Sequence, residues 1–181
     1  MNKLILVALL ASCLALPAQE TKHEIVNSHG AAADTKALDP AVPDVYAVTG
    51  HLQRIVVLRF KFGTDLLAGL QKMIAQEKIR NAVILSGFGS VRGYQVHQVS
   101  NRDFPSHDLF LKDPTAPADI IGMSGMVMSG RVHPHITLAR GDKAFGGHLE
   151  PGTQVFTFAV ITLGILDDNL DMSHFDDSSN R

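Results

Sequence analysis

The sequence has 181 residues, of which 45% are hydrophobic, and a formal net charge of −2. This length and composition are typical of one ordinary domain with a sizeable core. The basic residues are scattered rather than clustered, so the charge distribution argues against a nucleic-acid partner. Cys13 is the single cysteine, which excludes a disulfide within the chain and leaves stability to the core.

The N-terminus has the features of a bacterial-type secretory signal. Lys3 precedes the largely apolar run 4–16, and small residues around Ala18 mark a cleavage boundary, so residues 1–18 are predicted to be a signal peptide. The apolar run is shorter than the about 20 residues that span a bilayer. The motif that ends at Cys13 also resembles a lipobox, so lipid modification remains an alternative. We expect a periplasmic or secreted protein, held at a membrane only if Cys13 carries a lipid.

The first half of the remaining chain predicts an arm, a strand and a helix. Residues 19–45 are polar and interrupted by alanine and proline, which predicts a linker or flexible arm before a domain at residues 46–166. Residues 51–62 predict a long strand. Thr64 is the predicted cap of a helix that ends near Lys78. The apolar stripe of this helix consists of Leu66, Leu67, Leu70, Met73 and Ile74.

The following segment predicts mainly strands. Residues 81–86 predict a buried strand, and the pattern resumes over 91–100. Between them the GFGS sequence at 87–90 is interpreted as a turn or a close backbone approach, because its spacing matches neither common phosphate-binding glycine motif. Prolines predict a loop over 101–117, and residues 118–129 predict a further strand.

The C-terminal part predicts one more strand and a tail. Residues 153–166 are apolar enough to be buried on both faces or at a subunit interface. One amphipathic helix cannot cover so much apolar strand, so we expect a homo-oligomer. Residues 167–181 are rich in aspartate and predict an acidic flexible tail. The elements together predict an α/β (α+β) fold, in which one main amphipathic helix packs on a largely antiparallel β-sheet.

Three histidines lie around one predicted hairpin. In the strand 132–139, His133 and His135 alternate with apolar residues and therefore point to the same face. The Gly-Asp pair that follows is a suitable two-residue turn. If Arg140 pairs with Lys143, His135 lies directly opposite His148, and His133 falls within reach of the same point. A one-residue bulge would turn His148 to the other face.

This arrangement predicts a metal site. Three neutral imidazoles suit a borderline-soft divalent ion, zinc first, and three protein ligands leave a position open for water or a small molecule. The alternative is that His133, His135 and His148 are polar strand residues that are exposed or bonded to one another. Glu150 is the candidate acid/base, because strand alternation could bring it to the face of His148, although it could also belong to a turn. Tyr94, Gln95 and His97 lie on a strand that could line the site, but nothing in the sequence determines which way they point.

The order of parts resembles the plant and prokaryote conserved (PPC) domain family over residues 50–166. The resemblance is carried by GTDLLAGLQKMIAQEKI, AVILSGFGSV, IIGMSGMV, HPHITLAR and FGGHLEPGTQV. It implies a largely antiparallel sheet assembled as a homotrimer. It also implies metal on the histidines that match His133, His135 and His148, as in some prokaryotic members. Plant members bind AT-rich DNA through an added AT-hook, whose Arg-Gly-Arg-Pro core does not occur in this sequence.

These observations predict an exported PPC-domain protein with a three-histidine divalent-metal site that binds or acts on a small molecule. The sequence leaves two alternative functions open. One is DNA binding, inherited from the family, and the other is a non-catalytic trimeric scaffold with a structural metal. The sequence names no substrate and does not decide whether the protein is an enzyme.

Overall fold

An antiparallel sheet forms the body of the protein. The computed structural model describes the backbone of residues 22–27 and all of residues 37–176; the predicted signal peptide, Cys13 and residues 177–181 lie outside this part. The strands are β1 (Lys22–Asn27), β2 (Leu52–Lys61), β3 (Ala82–Val99), β4 (His107–Asp113), β5 (Ala118–Met128), β6 (Arg131–Arg140), β7 (Lys143–Leu149) and β8 (Gln154–Leu166).

The long strand β3 is the centre of the topology. Its first half pairs with β5 and β8, and its second half pairs with β4 and β7, while β2 pairs with the outer side of β8. Because β5, β6 and β7 follow one another as antiparallel neighbours, β7 returns to β3 and the four strands close a small ring. This closure brings the end of the histidine hairpin against β3.

The helix α1 (Leu66–Gln76) packs on the sheet through the predicted stripe, with Leu66, Leu67, Leu70 and Ile74 buried. Its cap is Asp65 rather than Thr64. The backbone of Asp65 is extended, and its carboxylate accepts a hydrogen bond from the amide of Ala68 at 2.9 Å. The left-handed backbone of Lys78 follows the end of the helix. The predicted fold of a largely antiparallel sheet with one helix is confirmed for the described residues.

Three segments differ from the sequence-based expectation. The GFGS sequence is not a turn, because β3 runs through it; at Gly89 the backbone approaches β8 so closely that a Cβ would collide with Phe158 and Ala159. The predicted loop 101–117 contains β4. The predicted arm contains β1, which pairs with β4. Backbone pairing needs no apolar period, so these two short strands, β1 and β4, left no clear pattern in the sequence.

The first part of the predicted tail is docked on the domain rather than surrounded by solvent. The side chain of Asn81 is fully buried, and its amide donates hydrogen bonds to the carbonyl oxygens of Asp167 (3.1 Å) and Leu170 (3.0 Å). Met172 is 2% exposed. Backbone carbonyls, a buried apolar side chain and the carboxylate of Asp167, which accepts a hydrogen bond from the amide of His51 at 2.7 Å, hold this segment in place.

The outer face of β2, β3 and β8 carries apolar side chains that no described part of the chain covers. On β8 Val155, Ala159, Ile161, Leu163 and Ile165 are buried in the core, whereas Phe156 and Phe158 point outwards. Val57, Phe88, Phe156 and Phe158 are between 38% and 64% exposed on this side. Within the described residues, no helix has the length and hydropathy needed to cross a membrane.

Candidate metal centre

The β6–β7 hairpin has the predicted register. Arg140 pairs with Lys143 and His135 pairs with His148, with no bulge between the two strands. Gly141 takes the left-handed conformation that the two-residue turn requires, with φ of 62°. The expectation that these positions face one another is therefore confirmed.

The rings of the three hairpin histidines lie close together. His133 Nε2 lies 3.2 Å from His135 Nε2. The ring centroid of His148 lies 4.8 Å from that of His133 and 5.7 Å from that of His135. Two nitrogens bound to one tetrahedral zinc ion at about 2.0–2.1 Å would be about 3.3–3.4 Å apart. The separation of the His133 and His135 nitrogens is thus compatible with a shared metal ion.

A fourth histidine, His97 on β3, joins this cluster. It pairs with His148 across the β3–β7 contact, and the two rings are stacked with centroids 4.7 Å apart. Gly147 permits the approach, because a Cβ there would collide with the carbonyl oxygen of His97, and Gly146 does the same against Ile136. The two glycines before His148 therefore let β7 lie close to both β6 and β3, and this brings His148 next to the histidines of those strands. The sequence indicated a neighbouring strand for His97 but not its side.

Of the other two β3 residues that could line the site, Tyr94 points into the core instead, and Gln95 makes backbone contacts. Tyr94 is 5% exposed and packs against Phe145 in the core, with ring centroids 4.9 Å apart. Gln95 contributes its backbone, whose amide and carbonyl bond to the hydroxyl of Thr153. These contacts fix the loop that follows β7.

Glu150 lies in that loop and contacts two of the histidines. Its Oε1 atom is 2.6 Å from His97 Nδ1 and 3.0 Å from His148 Nδ1. The loop is held by the amide of Glu150, which donates to Gln95, and by the amide of Gly152, which donates to the carboxylate of Asp65 at 2.7 Å. The cap of α1 thus also fixes the position of Glu150.

The Glu150 carboxyl group is ionised at neutral pH. Burial raises its pKa, but the hydrogen bonds from His148 and His97, with their charges, outweigh burial and lower the pKa to about 2. A carboxylate can only accept hydrogen bonds, so the Nδ1 atom of each histidine must carry the proton. In a neutral ring this leaves the lone pair on Nε2. A pKa near 2 is also far below the range expected of a general base at neutral pH.

The histidines fall into two electrostatic classes. Burial lowers the pKa values of His133 and His135, and the surrounding histidines lower them further, while Asp176 partly opposes this at His133. The hydrogen bond to Glu150 raises the pKa of His97 despite burial, and Asp108 adds to the effect. His133 and His135 are therefore neutral and available as ligands at neutral pH, whereas His97 is already paired with a carboxylate.

Among the described residues, one group of three side chains has its ligand atoms close enough together to hold a metal ion, and it is not the hairpin set. One ligand atom each from His97, His148 and Glu150 lie within 4.8 Å of one another. This set shares His148 with the hairpin set but replaces two nitrogens by His97 and a carboxylate. In the set with His97, Glu150 would be a metal ligand. In the hairpin set, Glu150 would only accept a hydrogen bond from His148.

Comparison with solved structures identifies the fold. The metal-containing protein AF0104 from Archaeoglobus fulgidus is 22% identical, with a TM-score of 0.56, and the match covers 67% of this chain and 86% of that chain. A plant- and prokaryote-conserved (PPC) protein from Pyrococcus horikoshii is 20% identical, with a TM-score of 0.55, over 67% of this chain and 85% of that chain. A protein from Bacteroides thetaiotaomicron, described provisionally as DNA-binding, is 16% identical, with a TM-score of 0.53, over 65% and 82%.

Sequence comparison gives a partial relative and a family. The bifunctional protein GlmU from a Synechococcus strain is 29% identical over 116 residues, which cover 64% of this chain but 17% of GlmU, so the chain spans about a sixth of that protein. The model of the Plants and Prokaryotes Conserved (PCC) domain, the PPC domain named above, matches residues 47–167. The match covers more than half of the chain, and the protein therefore belongs to the Plants and Prokaryotes Conserved domain family.

Proposed function

We propose that this protein binds one divalent metal ion, zinc first, through the Nε2 atoms of His133, His135 and His148. The observation that carries the proposal is the convergence of His133 Nε2 and His135 Nε2 to 3.2 Å beside the ring of His148. The metal-containing relative from Archaeoglobus supports the idea that this fold can hold a metal. Ligands of this type favour zinc and neighbouring transition metals over magnesium or calcium.

The hydrogen bonds of His148 favour the hairpin set over the set that contains Glu150. Metal-bound histidines commonly donate their second ring N–H to a carboxylate, which fixes the ring and its tautomer. Glu150 occupies this position at His148 Nδ1, 3.0 Å away. Using the Oε1 atom of Glu150 as a ligand would weaken the two hydrogen bonds that this oxygen accepts from His97 and His148. We therefore assign Glu150 an orienting role rather than that of a catalytic base.

Three histidine ligands would leave one coordination position for water or for a small molecule with an oxygen or nitrogen donor. A small-molecule binder or metal-dependent enzyme is the function that such an open position supports best. The competing proposal, a scaffold with a structural metal, predicts a closed site. A small anion such as azide should change the visible spectrum of the cobalt-substituted protein if the position is open and leave it unchanged if the site is closed.

Metal analysis of the full chain tests the site itself. After chelation and reconstitution, we expect one zinc ion per chain in wild type and substantially less in His135→Ala. His107→Ala is the matched control, because His107 lies on β4, outside the cluster. Absence of zinc from the wild type, or equal zinc in His135→Ala, would overturn the proposal.

The uncovered face of β2, β3 and β8 supports a homotrimer, the assembly implied by the family resemblance. Val57 is 64% exposed and Phe156 45% exposed in the single chain, and contiguous apolar surface of this kind marks protein interfaces. Light scattering should give three times the chain mass, and Val57→Asp should reduce it. A wild-type monomer at micromolar concentration would remove the proposal.

Two further expectations have their own tests. Export rests on the signal-like N-terminus, and the N-terminal sequence of the purified protein would show cleavage near Ala18 or modification at Cys13. DNA binding has support in the Bacteroides relative, but the chain has a net charge of −2 and lacks an AT-hook core. We expect no salt-dependent binding to AT-rich duplex at physiological ionic strength.

A further inference from the structure

The C-terminal tail reaches the histidine cluster. Beyond the family match, which ends at residue 167, the chain turns back so that Asp176 lies at the edge of β6. Its Oδ1 atom accepts a hydrogen bond from Arg131 at 2.9 Å, and its Oδ2 atom is 3.8 Å from His133 Nδ1. The side chain of Asp176 is 14% exposed. A carboxylate from outside the family domain therefore faces one of the candidate ligands.

The path of the tail fixes this carboxylate. Asn81 anchors its beginning through two backbone carbonyls, and Met172 is buried in its middle. Near its end Phe175 makes an edge-to-face contact with Tyr46, with ring centroids 5.2 Å apart. Arg131 then holds Asp176 itself. Four separate contacts along the tail indicate a defined path rather than a chance approach of one side chain.

The two nitrogens of His133 face different partners. Nε2 faces His135 Nε2 at 3.2 Å, and Nδ1 faces the carboxylate of Asp176. His148 is arranged in the same way, with Nδ1 towards Glu150. In both rings a carboxylate lies at the nitrogen that a metal ion would not use, which is the arrangement that fixes the tautomer of a metal-binding histidine.

We propose that Asp176 is a positioning residue that holds the His133 ring with Nδ1–H towards the tail and Nε2 towards the centre of the cluster. At 3.8 Å the contact is electrostatic, and a hydrogen bond would require the two atoms to approach to about 3 Å. The consequence for metal affinity rests on the proposed function above, whereas the effect on the ring does not. The tail would then contribute to the site without supplying a ligand.

The test compares Asp176→Ala, Asp176→Glu and Asp168→Ala in the full chain. Asp168 is the matched control, because it is an exposed aspartate of the same tail. Zinc affinity, measured by competition with a chelator, should fall about 10–100-fold in Asp176→Ala, the range seen when such outer carboxylates are removed. Asp176→Glu should recover most of this loss, and Asp168→Ala should match wild type.

Nitrogen NMR of the histidine rings in the metal-free chain supplies a second readout. We expect His133 to carry its proton on Nδ1 in wild type and Asp168→Ala, and to become a mixture of tautomers in Asp176→Ala. A tail that only added stability would leave this tautomer unchanged. An unaltered His133 tautomer in Asp176→Ala overturns the inference. If wild type binds no zinc but the tautomer depends on Asp176, the proposed metal function fails and the positioning contact stands.

Discussion

The histidine cluster has two halves that differ in how they are built and in what their side chains can still bind. The hairpin half, with His133 and His135, presents neutral imidazoles whose pKa values are lowered by burial and by neighbouring histidines. The β3 half, with His97 and Glu150, contains a carboxylate whose pKa is about 2 and a histidine whose pKa that carboxylate raises. His148 belongs to both halves. On the proposed function, we expect the hairpin to supply the ligands and the β3 half to orient them.

Removing His148 should have the largest effect, because it is shared by both halves. We expect His148→Ala to lose zinc affinity by more than about 100-fold, beyond the range for loss of an outer partner. Chelator competition measures the affinity, and circular dichroism checks that the sheet is retained. If a folded His148→Ala chain bound zinc as well as wild type, both proposed ligand sets would be wrong, because both contain His148.

The comparison of His135→Ala with His97→Ala separates the two halves. His135→Ala removes a proposed ligand and should cost about 100-fold in zinc affinity. His97→Ala removes a ring that stacks on His148 and bonds to Glu150, and should cost no more than about 10-fold, the lower end for outer partners. The opposite order would transfer the metal to the His97, His148 and Glu150 set.

Glu150→Gln sharpens the assignment of an orienting role. The amide keeps an acceptor oxygen but loses the charge, so the hold on His148 Nδ1 weakens while the hairpin nitrogens remain. Zinc affinity should fall about 10–100-fold, and stoichiometry should stay at that of wild type. If Glu150→Gln abolished stoichiometric binding while His135→Ala retained it, Glu150 would be a ligand.

The smallest effect concerns the pH dependence of stability in the metal-free chain. The pKa of Glu150 falls from 4.5 to about 2 on folding, so its contribution is present above about pH 4.5 and is lost as the pH falls towards 2. The free energy of unfolding should therefore decrease across this window more steeply in wild type than in Glu150→Gln. Urea titrations at several pH values measure both slopes, and parallel slopes would show that the carboxylate is not stabilised by folding.

The two halves also differ in how far the sequence predicted them. The alternation around His133 and His135 and the Gly-Asp turn determine the hairpin register, because all of these contacts are local. The placement of His97 and the hydrogen bonds of Glu150 require β7 to pair with β3, which is distant in sequence. The docking of Asp176 depends on a tail with no apolar period. The alternation of residues along one strand predicts which side chains share a face of that strand. It does not predict which element, distant in sequence, packs against that face.

A crystal structure of the zinc-loaded chain, with anomalous diffraction collected at the zinc edge, tests the central claim most directly. The account predicts one strong peak per chain, about 2.0–2.1 Å from the Nε2 atoms of His133, His135 and His148, with the carboxylate of Glu150 on His148 Nδ1. A peak bonded to Glu150 and His97, or no peak at the cluster in zinc-loaded crystals, would contradict it.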